Sequence, residues 1–257
     1  MRKELPPSLK AIGREALPRT LALEGDHYAF VRLFKHDFFA VTALYAGPAG
    51  KAVLKIGRRA HFLGLPCGWI GRLLAAHEVD LYQQLQHLPA VPRFLGRVGR
   101  DGFAHAYVEG HPLQKGEPVP DDFFPRLAES IRTIHQRGMA YVDLEKPQNV
   151  LVGDDGRPYL IDFQISWHVP RRWGGDLWPL ASIRRRLQEA DLYHLKKLQR
   201  RTRPDQLTPE ELAATYAKPW YIRAHQRLTR PLQQFRRRML ERLDPMRRAG
   251  ERGAVND

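Results

Sequence analysis

Four polar residues in the stretch YVDLEKPQNVLVGDDGRPYLID, residues 141–162, have types and spacing that could act together on a phosphoryl group. That chemistry needs cations on the phosphates, oxygen ligands for a metal ion, and a group that accepts or orients the attacking hydroxyl. Asp143 is the candidate for the last role, and Lys146 for neutralising the transferred phosphate. Asn149 and Asp162 offer the oxygens that Mg²⁺ prefers. This ion usually takes one or two carboxylates and completes its shell with phosphate oxygens and water.

These residues need elements to bring them together. NVLV and PYLID read as paired strands joined by a turn at Asp155-Gly156. A hairpin returns its far end beside its start, so Asn149 and Asp162 are expected close in space. Upstream, DDFFPRLAESIRTIHQRG reads as a helix with Leu127, Ile131 and Ile134 on one face and Gly138 as its stop. GRLLAAHEVDLYQQL reads as another: at about 100° per residue, Leu74, Leu81 and Leu85 share one stripe. Glu78 lies on that stripe, and Asp80 points away from it. A carboxylate there either meets a cation or sits at the edge and reaches water; the pattern alone leaves both open.

YAFVRLF, FFAVTALYAG, KAVLKIG, RFLGRVG and GFAHAYVEG are strand candidates. GPAGK lacks the G-x-x-x-x-G-K-[ST] spacing of a phosphate loop and lies between two strands, so a hairpin turn is expected. GHPLQKGEPVP reads as a linker between two lobes. The order is strands, one helix, more strands, a linker and a mostly helical half. That is an α+β, bilobal layout with a cleft between lobes as the natural ligand site.

The ordered set TIHQRGMAYVDLEKPQNVLV…YLIDFQ resembles the catalytic loop, metal-binding hairpin and DFG region of the protein-kinase-like superfamily. AVLKIG resembles the third-strand lysine motif and AYVEGHPL the hinge; the likeness covers roughly residues 28–165. It implies a small β-rich N-lobe with one helix and a mainly helical C-lobe. It also implies an ATP- and Mg²⁺-dependent kinase. Lys55 becomes the ATP-phosphate lysine, Glu78 its helix partner and Glu109 a nucleotide-binding residue of the hinge. Asp143 becomes the hydroxyl-orienting group, and Asn149 and Asp162 the metal ligands. Residues 1–27 are expected as an N-terminal extension, 28–110 as the N-lobe, 111–245 as the C-lobe with basic helices, and 246–257 as a flexible tail.

Several details depart from the common pattern. VRLFKHDFFAVTALYAG has no glycine where the Gly-rich loop belongs. Tyr141 and Val142 stand where His and Arg usually do, and Glu145 is an extra residue between Asp143 and Asn149. Gln164 replaces the Gly after Asp-Phe, and no long activation segment or APE motif follows. The chain thus resembles bacterial lipopolysaccharide-kinase-like proteins (heptose and 3-deoxy-manno-octulosonate kinases) and the related RIO-type kinases. That implies a lipid-linked sugar as acceptor, with a protein Ser/Thr hydroxyl as the alternative. A pseudokinase is a further alternative, although Lys55, Asp143 and Asp162 are all retained.

The chain has 257 residues, 43% hydrophobic, with 42 Lys and Arg against 28 Asp and Glu, a formal charge of +14. Such a surplus attracts nucleic acid, an acidic membrane face or a phosphorylated substrate. Much of it lies in RRRLQEADLYHLKKLQRRTR and FRRRMLERLDPMRR, which a solvated helix face also explains. Trp173, Trp178, Trp220 and Tyr221 among these charges could stack bases. No nucleic-acid signature accompanies them, and core or rim positions are the plainer reading. His168, Arg171, Arg172 and Trp173 follow the metal-binding Asp and are candidates to line the acceptor site, or else a surface loop. A single Cys, Cys67, argues against a disulfide framework and reads as inert packing; the eleven His show no metal-ligand pattern. No apolar run approaches the ~18 residues of a membrane span, and the start lacks the apolar core of a signal peptide. A cytoplasmic protein is expected, with peripheral contact at the inner membrane face an option.

Overall fold

The computed structural model describes residues 6–62, 64–217 and 219. Its first half is an antiparallel sheet built from β1 (Thr20–Leu23), β2 (Asp26–His36), β3 (Ala40–Gly47), β4 (Gly50–Gly57), β5 (Phe94–Val98) and β6 (Gly102–Ala106), in the order β1-β2-β3-β4-β6-β5. One face carries Leu21, Leu23, Tyr28, Val41, Ala43, Tyr45, Leu54 and Ile56, which form a core with Ile12. Thr20–Leu23 and the start of β2 at Asp26 and His27, expected to belong to an extension, are therefore part of the sheet. Leu21 and Leu23 alternate with exposed neighbours and add an edge strand to the same core.

Between β4 and β5 runs α1 (Gly68–Leu85). Its start lies almost against the end of β4: a Cβ on Gly57 would stand 2.7 Å from the Gly71 carbonyl oxygen. Only glycine permits that approach. Glu78, Leu81 and Leu85 are buried as their shared stripe requires, whereas Leu74 is half-buried and Asp80 is exposed.

The segment expected as a linker opens with a strand, β7 (Gly110–Pro112). Gly110 has φ +151°, and a Cβ there would lie 2.2 Å from the Val152 carbonyl oxygen. The chain follows with α2 (Phe123–Gln136), β8 (Met139–Ala140), β9 (Val150–Gly153), β10 (Pro158–Leu160), β11 (Trp167–His168), α3 (Leu180–Thr202) and α4 (Pro209–Ala214). β10, β9 and β7 make a three-stranded sheet, and β11 pairs with β8. A second core runs from Leu81, Tyr82 and Phe103 through Leu127, Ile131, Ile134, Tyr141 and Phe163 to Leu195 and Leu198. It joins both halves behind the cleft, and each fully buried Leu or Ile contributes about 1.5–3 kcal/mol.

α3 buries Asp191, His194, Leu195, Leu198 and Thr202, and none of its Lys or Arg residues is buried. Its charge is a solvated face. Trp173 and Trp178 are exposed, so they are not core residues. Trp220, Tyr221, the stretch FRRRMLERLDPMRR and the tail 246–257 lie outside the described residues. Among the described residues, no helix is long and apolar enough to cross a membrane.

Candidate active site

Lys55 lies near the end of β4, where the sheet faces α1. Its Nζ stands 2.8 Å from a Glu78 carboxylate oxygen and 2.7 Å from Asp162 Oδ1. Glu78 is only 2% exposed. Burial acts to lower the Lys55 pKa, but the charges of Glu78 and Asp162 outweigh it and hold the ammonium protonated. Burial likewise pushes Glu78 up, and Lys55 is what favours its ionised form. Asp162 is held below its ordinary value: burial opposes ionisation, but Lys55, then Lys146 and Lys35, overcome it. The open question about Glu78 thus has an answer: its partner is a lysine from the neighbouring sheet.

The second cluster sits on the loop between β8 and β9. Asp143 Oδ2 accepts from Lys146 Nζ at 2.7 Å and from Asn149 Nδ2 at 2.8 Å. With its nitrogen committed to Asp143, Asn149 has its amide oxygen to offer a cation. The β9–β10 pairing works as the turn predicts, and Ile161 N–H donates to the Asn149 carbonyl at 3.1 Å. Asn149 and Asp162 are thereby brought to the same end of one hairpin. The extra residue Glu145 points away from this cluster and meets Lys197 at 3.3 Å.

The loop's backbone is held by a residue that sequence reasoning missed. Asp191 on α3 is fully buried and accepts from Tyr141 N at 2.8 Å, Val142 N at 2.7 Å and His135 Nε2 at 3.0 Å. Val142 has φ +70°, a costly conformation for a β-branched residue, and Asp162 has φ +63°. A signal was present: Asp191 falls on the apolar stripe of α3 with Leu195 and Leu198, where a carboxylate must have donors. Behind the loop, Phe163 packs edge-on between Tyr82 and Tyr141, with ring centroids 5.1 and 5.3 Å apart. His77 Nε2 donates to the Ser166 carbonyl at 2.8 Å, and Ser166 Oγ donates to the Tyr141 carbonyl at 2.8 Å. These links tie α1, the Asp162 segment and the Asp143 loop into one unit.

No protein-family model matches the chain. A RIO2 kinase from Chaetomium thermophilum, solved as an ADP/Mg²⁺-phosphoaspartate complex, superposes with TM-score 0.53 at 18% identity; the match covers 74% of this chain and 58% of that one. A second RIO2 structure from the same organism gives TM-score 0.51 at 17% identity, covering 77% and 63%. The chain has a protein-kinase-like fold. In sequence, it is 26% identical over 134 residues to a probable casein kinase I homologue of Encephalitozoon cuniculi, covering 43% of this chain and 42% of that protein. The chain spans less than two thirds of the length of each of these proteins.

The β2–β3 hairpin directly precedes β4, the strand of Lys55, and β3 pairs with it. Asp37 closes the hairpin's tip, accepting from Phe39 N at 2.8 Å and Ala40 N at 3.0 Å. Arg58, 3% exposed, fixes the tip from behind: it donates to the carbonyls of Phe38 and Ser8 at 2.8 Å and stacks 3.9 Å from the Phe38 ring. Glu109 lies apart from both clusters, pairing with Lys51 at 2.7 Å while its carbonyl accepts from Asp154 N. His168 is drawn to α1, with Nδ1 3.3 Å from Asp80 Oδ2. Trp173 is exposed beside Arg172, whose guanidinium lies 5.2 Å from the ring. The Arg171 side chain lies outside the described residues.

The donor chemistry suits a hard cation held jointly with phosphate. Among the described residues no group of three or more His, Cys, Asp or Glu could enclose a metal ion. Asp162, kept ionised, and the Asn149 amide oxygen offer oxygen ligands only, and Mg²⁺ is bound in just this partial way when phosphates supply the rest.

Proposed function

We propose that this protein is an ATP- and Mg²⁺-dependent phosphotransferase that moves the γ-phosphate to a hydroxyl. The observation that carries the reading is Lys55 standing between Glu78 and Asp162 at 2.8 and 2.7 Å. A buried ammonium between two carboxylates holds its position while keeping its charge available to a polyphosphate. On this reading Lys55 meets the ATP phosphates, and Glu78 positions it. Asn149 and Asp162 hold Mg²⁺, which when bound neutralises charge on the phosphate oxygens. Asp143 orients the acceptor hydroxyl and takes its proton, while Lys146, half-exposed and 2.7 Å from Asp143, faces the transferred group. Glu109 and the hinge backbone meet the nucleoside end. The N- and C-lobes divide near residue 110.

The acceptor we favour is a protein Ser or Thr hydroxyl. Its support is the likeness to RIO2 kinases and to a probable casein kinase I homologue. The lipid-linked sugar rests on the resemblance to lipopolysaccharide-kinase-like proteins and on the basic charge; the comparisons add nothing to the first, and on α3 the Lys and Arg side chains reach solvent. The test is γ-labelled ATP with Mg²⁺ and a cell lysate split into protein, lipid and nucleic-acid fractions, run with wild type and Asp143→Asn. Label entering the protein fraction with wild type only is the expected result. Label confined to the lipid fraction would replace the acceptor, and no difference between the proteins in any fraction would sink the phosphotransferase.

A further inference from the structure

A glycine-rich loop stabilises phosphates with backbone N–H groups, and the β2–β3 hairpin spends three of those at its tip on itself. Phe39 and Ala40 donate to the Asp37 carboxylate, and Asp37 N donates back to the Ala40 carbonyl at 3.0 Å. Arg58 and the Asp37 carbonyl, which accepts from Ala11 N at 2.8 Å, keep the tip in that form. With three tip N–H groups turned inward, a side chain is needed for strong stabilisation from this side of the cleft.

One side chain is placed for it. The strand register pairs Lys35 with Thr42 and Thr42 with Lys55, so all three project from the same face of the sheet. A bulge between Leu33 and Lys35 produces this arrangement, since an extra residue re-aims the side chains beyond it. Adjacent strands are about 4.8 Å apart, which puts the Lys35 and Lys55 backbones about 10 Å from each other. Lys35 has a flexible stem and a side chain 66% exposed, and its ion pair among the described residues is with Asp37 at 2.6 Å. Such a surface pair is worth little, so it exchanges readily for a more highly charged partner.

We propose that Lys35 is a nucleotide-binding residue that supplies the polyphosphate with the stabilisation a glycine-rich loop would otherwise give. The assignment rests on the phosphotransferase reading above. Lys35 and Lys55 grip the phosphates from two positions along one cross-strand row. Asp37 holds the Lys35 ammonium near the cleft until nucleotide arrives.

The experiment is calorimetric titration of the full chain with Mg–ATP, using wild type, Lys35→Gln and Lys35→Arg, with urea unfolding of each protein without nucleotide. Lys35→Gln is expected to weaken Mg–ATP binding about tenfold at an unchanged urea midpoint, as befits one charge-assisted contact at an exposed site. Lys35→Arg is expected to restore most of the affinity. Wild-type binding left unchanged by Lys35→Gln would overturn this assignment alone. A loss accompanied by a lower urea midpoint and no rescue by Lys35→Arg would make the residue structural and overturn it too. Failure of the wild type to bind Mg–ATP would overturn this assignment and the phosphotransferase reading together.

Discussion

The two charged clusters of the cleft are built on opposite plans. Lys55, Glu78 and Asp162 join β4, α1 and the segment after β10, so regular elements and a buried core determine their distances. Asp143, Lys146 and Asn149 sit on one loop, and their arrangement depends on a carboxylate from elsewhere, Asp191, gripping two successive backbone N–H groups, one of them at the strained Val142. The first cluster is placed by packing and the second by hydrogen bonds. A loop that carries one residue more than the usual pattern still presents Asp143 because Asp191 holds the backbone before it, while Glu145 turns outward to Lys197.

This contrast can be broken most sharply at Asp191. Asp191→Ala removes the acceptor for three buried donors, and stability is expected to fall by about 3–5 kcal/mol in urea unfolding, with transfer activity lost. A cost below ~1 kcal/mol would mean that the loop is held by packing after all.

Glu78→Gln probes the other plan. It leaves Lys55 with Asp162 as its charged partner and is expected to cost about 1.5–3 kcal/mol. Adding Lys55→Met should recover part of that loss, because the buried charge goes with it. Additive losses in the double variant would contradict the paired arrangement.

A third test uses pH near the first cluster. His105 is buried against Tyr82, with centroids 5.2 Å apart, and burial lowers its pKa from 6.5 to about 4. The unfolded chain takes up this proton first as pH falls. Folding stability should therefore decline from about pH 6.5 toward pH 4 by up to about 1.4 kcal/mol per unit, and level off below. In His105→Gln that slope should flatten, as read from urea midpoints at a series of pH values.

The smallest effect is expected at Val142. Glycine accepts its φ of +70° without the steric cost a β-branched residue meets. Val142→Gly should leave stability unchanged or raise it by about 1 kcal/mol. A clear destabilisation would place the Val142 side chain, rather than its backbone, among the loop's supports.

Much of this site could be read from residue types and intervals. The Asn149–Asp162 hairpin follows from a turn between two short apolar runs, and the stripe holding Glu78 follows from helical periodicity. Both depend on contacts within a few tens of residues. The resemblance gives Glu109 a place in the hinge, and the structure adds that its carboxylate meets Lys51, a neighbour that no local pattern reveals. Asp191 was overlooked because its partners lie 49 and 50 residues away on the chain. Arg58, which binds the Phe38 and Ser8 carbonyls, reads in sequence as one more basic residue in a basic chain.

By itself the sequence determined the α+β order of elements, the strand and helix faces, and the residue types available for phosphoryl transfer. These are set by local periodicity and turn chemistry. Only the tertiary structure decided which charges meet, how a hairpin without glycine is held, and which carboxylate supports the loop bearing Asp143. Those outcomes depend on burial and long-range register, where a charge must find a partner across the fold because water no longer reaches it.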